Sequence, residues 1–455
     1  MCASRPGRGE SSTSRRFSCD LARRTLKICA IEGTACQFFE LVSSILEKAS
    51  DPDLRRRPHD FSRNGTLSPD LLVTLLLFMV GDANRRGYRH LLDAFWDECA
   101  SHGLSLPTQK PVSAPAFCQA RSKISTAMLR HVLQQASSQF TEAFDKLSRW
   151  RGRRVFAVDG SKFHLGRSEE LDRHFGRPTT GHFPQATVSA LVNVASGVPC
   201  DVLIAPYGSC ERKLLLQHLD TLQPKDVLVL DRGYPSHNLF RVMLARKLDF
   251  LVRVPESSSF NAIKTFRQSG GDDYRVLIAT RKGARRAESI ELRAVKLTGP
   301  NGQVSFYLTS LRRSKYSRAQ IAELYNKRWE AEELYRLQKA DYFDQRQFHA
   351  RTAHGVEQEI LAQEIFIVIA RFLLATAAER VDAKYPDLST KSAVLGLATY
   401  ITRICLDDPQ SAAAWLPRLL ARIARTRDKR RPGRSFPRRS FKPWPRWGPR
   451  GHRGA

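Results

Sequence analysis

At residue 153 the apolar pattern changes period, and this change limits the fold more than any other feature of the chain. Before it, CQFFELVSSILEKA, SPDLLVTLLLFMVGDA, GYRHLLDAFWDECA and TAMLRHVLQQASSQFTEAFDKL carry apolar residues at three- and four-residue spacing, the helical signature. After it, short apolar runs appear. RRVFAVDG ends in Asp-Gly, a buried strand reading into a turn, and QATVSALVNVASGVPCDVLIAP reads as two strands around Ser196-Gly197. KDVLVLDRGY is another buried strand that ends at an acid, and DFLVRVP is a further one. Helical patterns, ERKLLLQHLDTL and SHNLFRVMLARKL, lie between these strands. An early antiparallel pair followed by helix-connected strands predicts an α/β (α+β) chain, a mixed sheet with helices packed on it.

The remaining pattern divides the chain. YRVLIATRK, ESIELRAVKL and QVSFYLTSL make a β-rich insertion at about 256–312, and a long helix follows from about 317. The expected organisation is a loose basic segment at 1–36, a helical N-terminal domain at 37–150, a mixed-sheet core at 151–350, helices at 351–425 and a disordered basic tail at 426–455. The tail carries eleven Lys/Arg against one Asp, so of the formal charge of +29 the other residues keep about +19. A basic body and a basic tail both point to a polyanion, nucleic acid first. Trp444 and Trp447 in the tail could stack on bases. The nine cysteines form no C-x-x-C pair and are odd in number, which argues against a zinc ribbon or a disulfide scaffold and suits a reducing cytoplasm. LLVTLLLFMV at 71–80 is too short to span a bilayer and EIFIVIARFLLATAA at 364–378 is interrupted by Arg371, so no membrane partner is expected.

Two acids stand at predicted strand ends, Asp159 and Asp231. Carboxylates brought together there repel each other unless a cation intervenes. Mg²⁺ takes oxygen ligands and is commonly held by one or two carboxylates plus substrate phosphates. Glu332 on the long helix is the candidate third acid. Tyr325, Arg328, Glu332 and Lys339 fall at offsets of zero, three, seven and fourteen, nearly one side of a helix. Taken singly, each has a plainer reading: an Asp before a turn is a turn former, and Arg328 with Glu332 is an i,i+4 ion pair of small worth.

The combination resembles a known family. VDG at 158–160, DRGY at 231–234 and Y-x2-R-x3-E-x6-K at 325–339 look like the DDE transposases of the bacterial insertion-sequence-four family, as does VSAPAFCQARSKIS at 112–125. The resemblance covers roughly residues 37–405 and implies a ribonuclease-H-like core interrupted by a β-rich insertion. It implies that Asp159, Asp231 and Glu332 bind two Mg²⁺ ions, with Mn²⁺ able to substitute, and that Tyr325, Arg328 and Lys339 contact DNA. It further implies terminal inverted repeats and target DNA as partners, DNA contacts from 37–150, a homodimeric synaptic complex with 351–425 as a dimerisation region, and a nucleoid-associated cytoplasmic location. Two other readings stay open: an inactive DNA-binding protein of transposase descent, and a metal-dependent nuclease.

Overall fold

The computed structural model describes residues 33–63, 65–82, 87–255, 260–280, 288–299, 302–341 and 348–428. The loose segment expected at 1–36 therefore lies almost wholly outside the described residues, and so do most of the tail expected at 426–455, Trp444 and Trp447, and parts of the insertion. The described ends are ordered. Thr34 already opens the first helix, Thr34–Ala49, and Asp428 N–H donates to the Asp387 carbonyl.

One mixed sheet carries the fold. Its strands are β1 (Arg149–Trp150), β2 (Arg153–His164), β3 (Gln185–Asn193), β4 (Val198–Pro206), β5 (Val227–Leu230), β6 (Asp249–Val254), β7 (Asp273–Ala279), β8 (Ser289–Thr298) and β9 (Val304–Thr309). The order is β4-β3-β2-β5-β6-β9-β8-β7, with β1 paired to β2. Strands β2, β3 and β4 form the antiparallel meander, its second turn made at Gly197, where φ is +69°. Strands β5 and β6 join parallel to β2. The β-rich insertion is not a separate sheet: β9 pairs antiparallel with β6, so the same sheet continues through β8 and β7. It also contains a helix, Asn261–Gln268, which an all-strand reading omits. Eight residues are too few for a clear period in sequence, but Phe266 packs on Tyr274 and Phe306 and fixes it.

The central strands are apolar on both faces, as strands buried in a helix-covered sheet must be. Val155, Ala157, Val227 and Val229 face one core, while Phe156, Val158, Leu228 and Leu230 face the other. On the first face a single core runs from Phe38 to Ala424 and draws in helices from both the 37–150 and the 351–425 regions. Helix Ala353–Arg380 lies inside it. Among the described residues it is the one helix long and apolar enough to cross a membrane, and it is buried throughout, which explains its apolar circumference. Helices Glu211–His218, His237–Ala245 and Asn261–Gln268 cover the second face.

A buried polar network ties one helix to the sheet. Arg130 of helix Thr126–Ala143 donates twice to the Asp201 carboxylate on β4, both at 2.7 Å. Gln134 adds a donor at 2.9 Å and His218 Nδ1 lies 2.7 Å away. Burial works to raise the Asp201 carboxyl, but Arg130 and His218 outweigh it and hold the acid well below the usual carboxylate range.

Candidate active site

Strand register accounts for the first two acids. Val155 lies opposite Val227 and Ala157 opposite Val229. Two residues further, that register places Asp159 across from Asp231. Both have the parity of Val155 and Val227, so both carboxylates leave the sheet on the same face. Asp231 is the first residue beyond β5, as expected. Asp159 is not at a strand end: β2 runs on to His164 and stays paired to β3 throughout. What ends beside Asp159 is its pairing with β5. Nor does Gly160 make a turn; it lies within β2, and a Cβ there would stand 2.8 Å from the Glu211 carboxylate. Glycine is required by close approach rather than by backbone bending.

The third acid arrives on a helix that is not the single long one expected. Helix Arg318–Asn326 stops, Arg328 and Ala331 make i→i−3 backbone bonds, and helix Trp329–Arg336 begins at a slight offset. A π-helical turn, Leu337–Asp341, follows. Tyr335 docks this helix on the sheet. Its hydroxyl lies 2.9 Å from the Asp159 carbonyl and 3.0 Å from the Val188 carbonyl, and it accepts from Ala190 N–H at 3.0 Å. Glu332 is one turn before Tyr335, so it comes to the same side as the two aspartates.

Electrostatics register the encounter. Burial pushes the Asp159 carboxyl up from 3.8 to about 6; Arg328 pulls it down, while Asp231 and Glu332 push it further up. Arg328 pairs with Glu332 and lies over the Tyr325 ring, 5.7 Å from its centroid. Tyr325 and Arg328 are only 7% and 6% exposed, so they stand within the cluster rather than on the surface. Lys339 turns along β2: its ammonium donates to Ser161 Oγ and, at 2.8 Å, to the Lys162 carbonyl. Burial lowers its pKa to about 8 against the pull of Asp159.

The donor set is three carboxylates, chemistry that suits Mg²⁺. As the side chains lie, no three His, Cys, Asp or Glu among the described residues stand close enough to share an ion. Two of the acids are turned to other donors: Asp231 accepts from Gly233 N–H at 2.7 Å, and Glu332 takes Arg328. The sequence pattern missed Tyr335 and Ser161. Tyr335 shares the helix face of Glu332 and Lys339 at offsets of three and seven from Glu332, a spacing equally typical of core aromatics.

Residues 150–369 match the family model described as transposase DDE domain. A stretch of 130 residues is 27% identical to the Escherichia coli (strain K12) protein named "Putative transposase InsZ"; it makes up 27% of this chain and spans 43% of that protein's length. Among solved structures, the piggyBac transposase synaptic complex with hairpin DNA is similar with a TM-score of 0.43 and 12% identity, covering 88% of this chain and 86% of that one. The family match and the curated relative together support a DDE transposase.

Proposed function

We propose that this chain is a DNA transposase of the insertion-sequence-four type, acting on terminal inverted repeats and target DNA through Asp159, Asp231 and Glu332. The observation that supports the reading is the state of Asp159 on β2, raised to about 6 by burial and, against the pull of Arg328, by the charges of Asp231 after β5 and Glu332 on helix Trp329–Arg336. Uncompensated negative charge in a partly buried place is what a divalent cation relieves. The order β4-β3-β2-β5-β6, three antiparallel strands followed by two parallel ones, supports a ribonuclease-H-like core.

In this reading the three carboxylates would hold two Mg²⁺ ions, or Mn²⁺ in their place, which supply charge stabilisation and activation of an attacking hydroxyl. The chain's own groups do the rest. Tyr335 holds the Glu332 helix at a fixed height over the Asp159 backbone. Arg328 pairs with Glu332 and, with Glu332 on the cation, would hold a backbone phosphate together with Tyr325. Lys339, at about 8, stays mostly protonated at neutral pH beside Ser161 and in this reading would hold a backbone phosphate. The basic body supplies non-specific DNA affinity, and two copies would pair two ends.

The test is cleavage of a duplex carrying the inverted repeats that flank the gene, in Mg²⁺, with Asp159→Asn, Asp231→Asn and Glu332→Gln beside wild type. Loss of cleavage with retained end binding supports the proposal. Binding without cleavage in wild type selects the inactive DNA-binding protein, and cleavage indifferent to end sequence selects the nuclease.

A further inference from the structure

The fold brings a fourth acid to this place. Glu211 opens helix Glu211–His218, fifty-two residues beyond Asp159. Its carboxylate lies against Gly160, where an added Cβ would meet both the carboxylate carbon and Oε1 at 2.8 Å. Gly160 faces the opposite side of β2 from Asp159, but pairing with β5 ends at Ala157, so no strand separates the two sides here. The adjoining Arg212 donates through Nε to the Gly233 carbonyl at 3.2 Å, which docks the start of this helix on the D-R-G-Y loop. Glu211 makes no hydrogen bond or ion pair with any described residue.

A second observation points the same way. Tyr234, from the same loop, is 1% exposed, and its hydroxyl has no hydrogen-bond partner among the described residues. A buried hydroxyl ordinarily finds a hydrogen-bond partner, so this one is open to a ligand. The charged groups that act on it are Glu211 foremost, then Asp159 and Asp231, with Arg328 opposing them. Burial is the main influence on this phenol, and the orphaned donor lies within electrostatic reach of three carboxylates.

We propose that Glu211 is a fourth carboxylate of the divalent-cation site, reaching it through the gap beyond β5, and that the Tyr234 hydroxyl donates to an oxygen of that site when the cation is held. This rests on the reading of Asp159, Asp231 and Glu332 as the metal-binding acids. Among the described residues the Glu211 carboxylate has no hydrogen-bonding donor to leave, although its charge acts on the Lys162 ammonium. Gly160 then supplies the space that lets this carboxylate come close.

The experiment measures Mn²⁺ bound by the full chain without DNA, from the electron paramagnetic resonance of free Mn²⁺, with folding followed by circular dichroism. Glu211→Gln is expected to weaken Mn²⁺ binding about tenfold or more. Gly160→Ala keeps the charge but displaces the flexible end of Glu211, so it should weaken binding comparably and add nothing to Glu211→Gln. If Glu211→Gln does not fold, Glu211→Asp, which withdraws the carboxylate by one methylene, takes its place with the same expected weakening. Wild-type affinity in Glu211→Gln, with binding lost in Asp159→Asn, overturns the fourth ligand and leaves the three-acid reading standing. Weakening by Glu211→Gln but not by Gly160→Ala means the charge acts at a distance, and also overturns it. Mn²⁺ binding that is absent in wild type, or insensitive to Asp159→Asn, removes the three-acid reading and this inference with it.

Discussion

Asp159→Asn should stabilise the metal-free protein. The carboxyl is raised from 3.8 to about 6, chiefly by burial and then by Asp231 and Glu332, with Arg328 in opposition. Its charged form is therefore disfavoured in the folded state. The sign follows from proton counts. Between pH 4 and 6 the folded chain binds more protons at this group than the unfolded chain, so stability falls as pH rises through that window. Above about pH 6 the penalty is complete, and at ~1.4 kcal/mol per tenfold change it amounts to ~3 kcal/mol at most. Asparagine keeps the shape, carries no charge to desolvate and leaves Arg328 its partner Glu332. Urea unfolding in a chelator, from pH 4 to 8, should show the variant more stable by about 1–3 kcal/mol at pH 8, the gain shrinking toward zero near pH 4. Added Mg²⁺ should then stabilise wild type and not the variant. A variant no more stable than wild type at pH 8, with the same pH slope, would refute the claim that this acid is held against its own charge.

Three further outcomes follow from particular contacts. Glu332→Gln should retain DNA-end binding but cut very slowly in Mg²⁺, by at least about a hundredfold, as read on labelled duplex; wild-type cleavage would count against the three-acid site. Tyr335→Phe keeps the ring against Phe163 but takes the hydroxyl from Asp159, Val188 and Ala190, so denaturation should show a loss of about 1–3 kcal/mol. Arg130→Ala leaves the fully buried Asp201 with only Gln134 and His218. It should cost about 3 kcal/mol by the same measurement, whereas a loss below about 0.5 kcal/mol would show the pair to behave as a surface ion pair.

Pattern alone carried the reading a long way where chemistry is local. Apolar runs in RRVFAV and KDVLVL mark buried strands because a strand covered on both faces needs apolar residues at every position. The Ser196-Gly197 turn is legible because φ at Gly197 is +69°, which few other residues accept. The helical character of 318–341 is legible in its charged periodic pattern, although its four singled-out residues fall on two helices and a π-helical turn. Where packing overrides local preference, the pattern misleads. V-D-G reads as a strand end, yet the strand continues to His164, because hydrogen bonds to β3 outlast those to β5. One charged run reads as one helix, yet it breaks at Arg328, whose guanidinium is drawn inward to Glu332 and the Tyr325 ring.

The sequence by itself determined which residues can be acids, donors or apolar cores, and in what order the elements come. Only the tertiary structure decided that the register of β2 and β5 carries Asp159 across from Asp231, that Tyr335 docks the Glu332 helix on β2 and β3, and that Glu211 lies against Gly160. These relations join residues 51 to 176 positions apart. No local period encodes such distances, because strand register and the docking of a helix on a sheet are settled by the sum of many apolar contacts made far apart in the chain.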